Sequence, residues 1–288
     1  MSEEKGSKLN HLQMALPQGL IVDSGWMEKN GFQPSLRNRY VSSGWLEQPA
    51  RGVYRRPKGQ MTDAPLRWQQ VVLSLQLLLE YPLIVGGMTA LDLHGFTHYR
   101  TPDLKTVHLY GRVKPPGWLN KLDLPQHFVV HNSDTLFAED PIAFGLGSLA
   151  YDVRKDTARD HSKLTGGSLE ELSWGQWEWP LTLSSPERAY LEFLDELPGK
   201  ASFHHADMIM QGAVNFRPGR MQKLLRDCKS IKVKRLFFFF ADRHRHAWRK
   251  QLDPDAFDLG SGKRMLVRGG RLDPVYHITV PGDLDAEQ

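Results

Sequence analysis

Two kinds of side chain in this sequence could act on another molecule: histidines with carboxylates, and arginines with amides. Among the first, His204-His205-x-Asp207 and His244-Arg245-His246 offer metal-ligand types at short spacing. Ligand atoms must converge on one point, whereas adjacent residues at a helix start diverge by about 100°. His204 and His205 are therefore not expected to share an ion, and the arginines flanking His244 and His246 repel cations. A nuclease needs clustered carboxylates and a nearby lysine to hold magnesium. Glu187, Glu192, Asp195 and Glu196 are available, but Glu192 and Glu196, four residues apart, are expected to be one helix's exposed face. The sequence holds no Gly-x-x-x-x-Gly-Lys-Ser/Thr phosphate loop, no Gly-x-Ser-x-Gly nucleophile turn and no His-Glu-x-x-His zinc pair. The expectation is a protein that is not an enzyme and that uses no metal and no cofactor.

The second kind points to DNA. Gln33, Ser35, Arg37, Asn38 and Arg39 crowd one short segment, and Arg51, Arg55 and Arg56 follow closely. In a major groove, Arg37 could fork onto guanine and Asn38 onto adenine, while Gln33, Ser35 and Arg39 reach phosphates or neighbouring bases. Arg51, Arg55 and Arg56 would hold the backbone, and affinity would fall steeply with salt.

The elements that must position these residues are legible in the spacing. Leu9, Leu12 and Leu16 mark one face of a helix that Pro17 and Gly19 stop. A second helix starts at Asp23 or Ser24, buries Trp26 and Met27, and ends at Asn30-Gly31. Pro34 opens a third helix over residues 34–43, with Leu36 and Tyr40 inward and Ser35, Arg37, Asn38 and Arg39 turned to water. Strands are expected at 45–47 and 52–55, joined by a turn at 48–51 with a basic tip. Helix, helix, turn, helix, hairpin is the order of a winged helix-turn-helix, whose third helix enters the groove. The alternative is a protein-docking module whose arginines are a solvated face.

Charge distribution agrees with a polyanion partner. The chain has 288 residues and net charge +4, but residues 1–60 carry nine Lys/Arg against five acids, and residues 217–250 carry twelve against two. The remainder is net −10, so two basic islands sit in an acidic body. No apolar run reaches the length of a membrane helix, and the opening MSEEKGSKLN lacks a secretion signal's pattern, so the expected compartment is the cytoplasm, with no membrane partner. The lone Cys228 excludes an internal disulfide and a cysteine zinc site.

Several segments, in order, carry a family resemblance. They are Gly31-Phe32-x-Pro34-Ser35-Leu36, Tyr40-Val41-x-Ser43-Gly44-Trp45-Leu46 with Arg51-Gly52-Val53-Tyr54, and Val85-Gly86-Gly87-Met88-Thr89-Ala90-Leu91-x-Leu93-His94-Gly95. Near the C-terminus come Ser184-Ser185-Pro186-Glu187-Arg188-Ala189, Lys232-Val233-Lys234-Arg235-Leu236-Phe237 and Leu259-Gly260-Ser261-Gly262-Lys263-Arg264. Together these resemble the AbiE-type (AbiEi) antitoxins of type IV toxin-antitoxin, abortive-infection systems. The resemblance implies a winged helix that binds inverted repeats in its own promoter and represses the operon. It also implies a C-terminal domain that counters a nucleotidyltransferase toxin, functionally and indirectly, in phage defence.

The implied fold is α+β, an N-terminal winged helix-turn-helix over 1–60 followed by a larger mixed α/β domain over 61–288. Beyond a linker at 57–65, residues 66–79 read as a buried helix, 89–94 as a second, and 106–110 and 127–131 as strands. The polar, Gly-rich stretch 152–175 is a surface excursion or a subdomain seam near 152–180. Ser185-Pro186 starts a helix, 206–211 and 218–228 read as two more, and Leu236 to Phe240 is a core helix or strand. Arg217, Arg220, Lys223 and Arg226 advance by threes as one stripe that Lys232, Lys234 and Arg235 continue. The stripe is either a second polyanion surface, for DNA or for the toxin's RNA or nucleotide, or a solvated face paired with the acidic body. Two further functions stay open: a winged-helix-targeted nucleic-acid enzyme and a ligand-sensing regulator.

Overall fold

The computed structural model describes residues 2–57, 65–96, 104–139, 151–152, 157–158 and 168–284. The chain opens with α1 (Ser2–Ala15), β1 (Ile21–Asp23), α2 (Ser24–Lys29), α3 (Pro34–Ser42), β2 (Glu47–Ala50) and β3 (Val53–Arg55). Leu12 and Ala15 of α1, and Leu16 just after it, are buried. Asp23 caps α2 by accepting the Trp26 N–H at 2.9 Å. Gly31 follows α2 at φ +82°, a left-handed turn that suits glycine. Pro34 supplies the first residue of α3.

The three strands form an antiparallel sheet in the order β1-β3-β2, and with the helices this is a winged helix. Two details differ from the expected hairpin. Strand β2 starts two residues later than expected, because the chain turns at Arg51-Gly52 with Gly52 at φ +78°. Glu47 and Ala50 pair with Arg55 and Val53, so β2 has one residue extra and bulges between them, where Pro49 needs no ladder partner. Strand β1 was not expected at all. Its Ile21 and Val22 are fully buried beside Tyr54 and Arg55 of β3.

The linker expected at 57–65 lies mostly outside the described residues. The helix after it, α4 (Trp68–Leu77), is buried nearly all round. Its few polar side chains are used as ties, since a buried polar group without a partner is costly. Ser74 Oγ accepts the Ile21 N–H of the first sheet at 2.8 Å. Gln76 donates to Leu83 O and Thr182 O and accepts the Thr182 N–H, all within 3.0 Å. One helix thus joins the winged helix to the second sheet.

That sheet has five strands in the order β6-β5-β4-β10-β9. They are β4 (Ile84–Val85), β5 (Thr106–Gly111), β6 (His127–Asn132), β9 (Leu169–Trp174) and β10 (Trp179–Ser184); a two-stranded pair, β7 (Tyr151–Asp152) and β8 (Thr157–Ala158), lies between β6 and β9 in sequence. Strands β9 and β10 form one hairpin with Trp174 opposite Trp179. Within the stretch 152–180, Asp152 and 157–158 belong to the separate β7–β8 pair and 169–180 to the β9–β10 hairpin, while 153–156 and 159–167 lie outside the described residues.

Helices α5 (Gly87–Leu93), α6 (Pro186–Asp195), α7 (Phe203–Gly212), α8 (Pro218–Asp227) and α9 (Ile231–His244) complete the larger domain, with a short terminal pair, β11 (Arg271–Leu272) and β12 (Thr279–Val280). The Leu236 to Phe240 run is helical and wholly in the core, with Phe237 against Trp248 and Phe238 against Phe257 and Tyr276.

The segments that carried the resemblance prove to be joints of this domain. A Cβ on Gly86 would lie 2.4 Å from Glu192 Oε2 and from the Tyr110 ring, so no larger residue fits. Glu192 is fully buried and accepts from Gly87 N, Ser184 Oγ and Arg188 Nε, the last at 2.7 Å. Arg188 lies over the Phe137 ring at 4.6 Å. Arg235 donates to Leu259 O and Gly262 O, tying the Lys232 to Phe237 segment to the glycine turn at 259–264.

Candidate nucleic-acid interface

Along α3 each residue turns by about 100°. Leu36, Arg37 and Tyr40 therefore share one side, while Ser35, Asn38, Arg39 and Ser42 share the other. The structure follows this arithmetic. Gln33, Ser35, Asn38, Arg39 and Ser42 are exposed, and the face they form is open. Ser42 belongs to this face although the sequence analysis did not single it out.

Arg37 does not face water, which corrects the expectation for it. It is 5% exposed. Its Nη1 donates to Ser24 O at 2.9 Å, its Nη2 to Glu28 Oε1 at 3.0 Å, and its guanidinium stands 5.7 Å from the centre of the Tyr54 ring. The physical reason is its position only about 60° from Tyr40 around the helix. Arg37 fastens α2, α3 and β3 together.

The hairpin divides in the same way. Arg51 is exposed at the tip. Arg55 is paired across the hairpin with Glu47, its partner in register. Arg56 turns back and donates to Gln13 O at 2.8 Å and Leu16 O at 3.0 Å, the carbonyls at the end of α1, and burial lowers its pKa. Arg56 thus anchors the hairpin to α1 and is not turned to a phosphate. Of the eight expected residues, Gln33, Ser35, Asn38, Arg39 and Arg51 remain on the open surface, with Arg55 beside it and Arg37 and Arg56 beneath it.

The expected stripe of the second basic island is broken. Arg217, Lys223 and Arg226 are exposed. Arg220 instead turns inward, donating to Glu170 Oε1 at 2.6 Å and to Glu187 Oε2 at 2.9 Å. Burial works against its charge, but the bonds to Glu170 and Glu187 outweigh that and raise its pKa. Lys232 donates to Leu197 O at 2.9 Å and pairs with Asp195 at 3.2 Å. Lys234 and Arg235 are buried. The acidic body thus claims Arg220 and Lys232, and the interior claims the last two.

The carboxylates read as an exposed helix face are not exposed. Glu192 is at 0% exposure and held by Arg188, and the Glu196 side chain is only 10% exposed. His204 lies 3.8 Å from Asp283, while His205 packs edge-on against Phe193. Asp207 accepts from Arg243 and from His244 at 2.8 Å. Burial favours its neutral form, but those partners prevail and hold its pKa below the usual 3.8. Among the described residues, one group could hold a metal ion: His108, His131 and Glu196. Sequence reasoning missed it, because no short spacing announces ligands that lie 23 and 65 positions apart.

Residues 104–281 match the family described as transcriptional regulator, AbiEi antitoxin, type IV TA system, and residues 5–101 match that family's N-terminal domain. No curated protein matches the chain. Among solved structures, the fold resembles the crystal structure of the RV2827C protein from Mycobacterium tuberculosis. The two are 15% identical with a TM-score of 0.54, over 94% of this chain and 88% of that one. Among the described residues no helix is long and apolar enough to cross a membrane.

Proposed function

The chain belongs to the AbiEi family of antitoxins and transcriptional regulators of type IV toxin-antitoxin systems, and on that premise we propose that it represses its own operon through the winged helix and counters a nucleotidyltransferase toxin through the larger domain. The observation that carries the first half is the open face of α3, with Gln33, Ser35, Asn38 and Arg39 exposed beside a hairpin tipped by Arg51. This is the shape that a major groove and its flanking phosphates accept. Asn38 has the fork for adenine, and Arg39 and Arg51 have the charge for guanine or phosphate. Inverted repeats require two such faces related by a twofold axis, one per half-site.

For the second half, Arg217, Lys223 and Arg226 are the members of the 217–226 run that are exposed to solvent. They supply the positive surface that would meet the toxin's nucleic acid or nucleotide in the cytoplasm, without a tight complex between the two proteins.

An electrophoretic shift on the upstream DNA, paired with growth beside the co-encoded toxin, tests both halves. Asn38→Ala and Arg39→Ala should abolish or sharply weaken the shift and preserve protection. Arg217, Lys223 and Arg226 changed together to Ser should preserve the shift and lose protection. Wild-type protein that ignores its upstream DNA at low salt, or variants that lose both activities together, would overturn the division.

A further inference from the structure

We infer that His108, His131 and Glu196 form a binding site for one divalent transition cation, zinc by its ligand chemistry, distinct from the DNA-facing surface. The three residues come from three elements. Strands β5 and β6 run parallel in register, with Tyr110 opposite His131, so His108, Tyr110 and His131 lie side by side on the sheet. Glu196 caps the C-terminus of α6, which brings its carboxylate over the two strands.

The ligand atoms converge. His108 Nδ1 lies 3.0 Å from His131 Nε2 and 3.1 Å from Glu196 Oε1, and His131 Nε2 lies 3.6 Å from the same oxygen. A triangle with those sides has a circumradius of about 1.9 Å, just inside the ~2.0–2.2 Å of zinc–imidazole and zinc–carboxylate bonds. An ion at bonding distance from all three atoms therefore sits slightly above their plane. Tetrahedral ligands around zinc stand about 3.3 Å apart, which is the mean of the observed separations to within a few tenths of an ångström.

The surroundings fit as well. Tyr110 stacks on His131 with ring centres 4.5 Å apart and donates to Glu196 Oε1 at 3.4 Å, so it orients two of the three ligands. The His108 N–H of the backbone is held by Thr89 Oγ1 at 3.0 Å, which fixes the strand under its ring. The three side chains are 10–18% exposed, which leaves a route for an ion and a fourth corner for water. Two imidazoles and one carboxylate suit zinc, and an open fourth position leaves room for one more ligand. Without an ion, at most a proton shared between His108 and its two neighbours holds the atoms together. With one, β5, β6 and α6 are bound at a common point.

The test uses the full chain, stripped with a chelator, dialysed against zinc and passed over a desalting column. Wild-type protein should retain one equivalent of zinc by elemental analysis. His131→Ala and Glu196→Gln should each weaken zinc binding tenfold or more in competition with a chromogenic chelator, as loss of a ligand requires. His127→Ala, on the same strand but outside the triad, should bind as wild type. Far-ultraviolet circular dichroism checks that each variant is folded. Cobalt substituted into the wild-type chain adds a readout that needs no variant, because tetrahedral coordination gives intense visible bands and hydrated cobalt does not. Retention no greater than that of the Glu196→Gln chain, or a cobalt spectrum of the hydrated ion, would overturn the site and leave a hydrogen-bonded triad. Neither result bears on promoter binding, so failure here is distinguishable from failure of the regulator.

Discussion

Replacing Arg37 by methionine separates a residue that builds the reading head from one that reads. The substitution keeps the aliphatic stem and removes the guanidinium. The charge-assisted bond to Ser24 O is worth about 1.5–3 kcal/mol. The pair with Glu28 adds ~0.5 kcal/mol or less, because the Glu28 side chain is 56% exposed and its charge is solvated. The stacking on Tyr54 adds about 0.5–1 kcal/mol. The expected loss is thus about 3 kcal/mol, which for a chain of this size lowers the unfolding midpoint by roughly 6–12 °C. Calorimetry measures that shift, and fluorescence anisotropy on upstream DNA, well below the variant's midpoint, measures binding across a salt series. Arg37→Met should keep the wild-type slope of log affinity against log salt. Arg39→Ala should keep the midpoint and reduce the slope by about one, if Arg39 meets a phosphate. An Arg37→Met chain that unfolds with the wild type yet loses affinity and slope would refute the structural assignment and return Arg37 to the groove.

Three other outcomes follow from buried groups. Glu192→Ala leaves the Arg188 guanidinium buried against Phe137 without its carboxylate, and should destabilise the chain by about 3–5 kcal/mol in urea unfolding. Cys228 is buried and its thiol is pushed up to about 11, so Ellman's reagent should leave it unmodified in the native chain and react once the chain unfolds. Asp207 has its folded pKa held below 3.8 by His244 and Arg243 against the effect of burial. Its contribution to stability is therefore complete above the unfolded value and is lost as pH falls through the folded one. A thermal-unfolding series in acid should show a shallower decline for Asp207→Asn than for the wild type.

What the sequence revealed and what it hid divide along a physical line. Local signals were legible: Asp23 and Ser185 as caps, Pro34 as a first helical residue, and Gly31 after a helix each act through neighbours within four positions. The apolar stripe of α3 was legible too, yet Arg37 was assigned to water by residue type although its angle around the helix placed it on the inner side. Type misled again at Glu192, read as part of an exposed face, whose charge is satisfied by Arg188, a partner that spacing alone did not specify as buried.

Long-range placement explains the remaining misses. Strand β1 is three residues long and exists because Ile21 and Val22 find Arg55 and Tyr54, more than thirty positions away. Arg217, Arg220, Lys223 and Arg226 advance by threes, but spacing cannot tell which cations the acidic body will claim. The fold takes Arg220 through Glu170 on β9 and Glu187 on α6, and leaves Lys223 to solvent. A basic run is therefore a pool from which the fold first draws its ion pairs. Among the cations left facing water are Arg39 and Arg51 at one end and Arg217, Lys223 and Arg226 at the other, and these have charge to offer a partner.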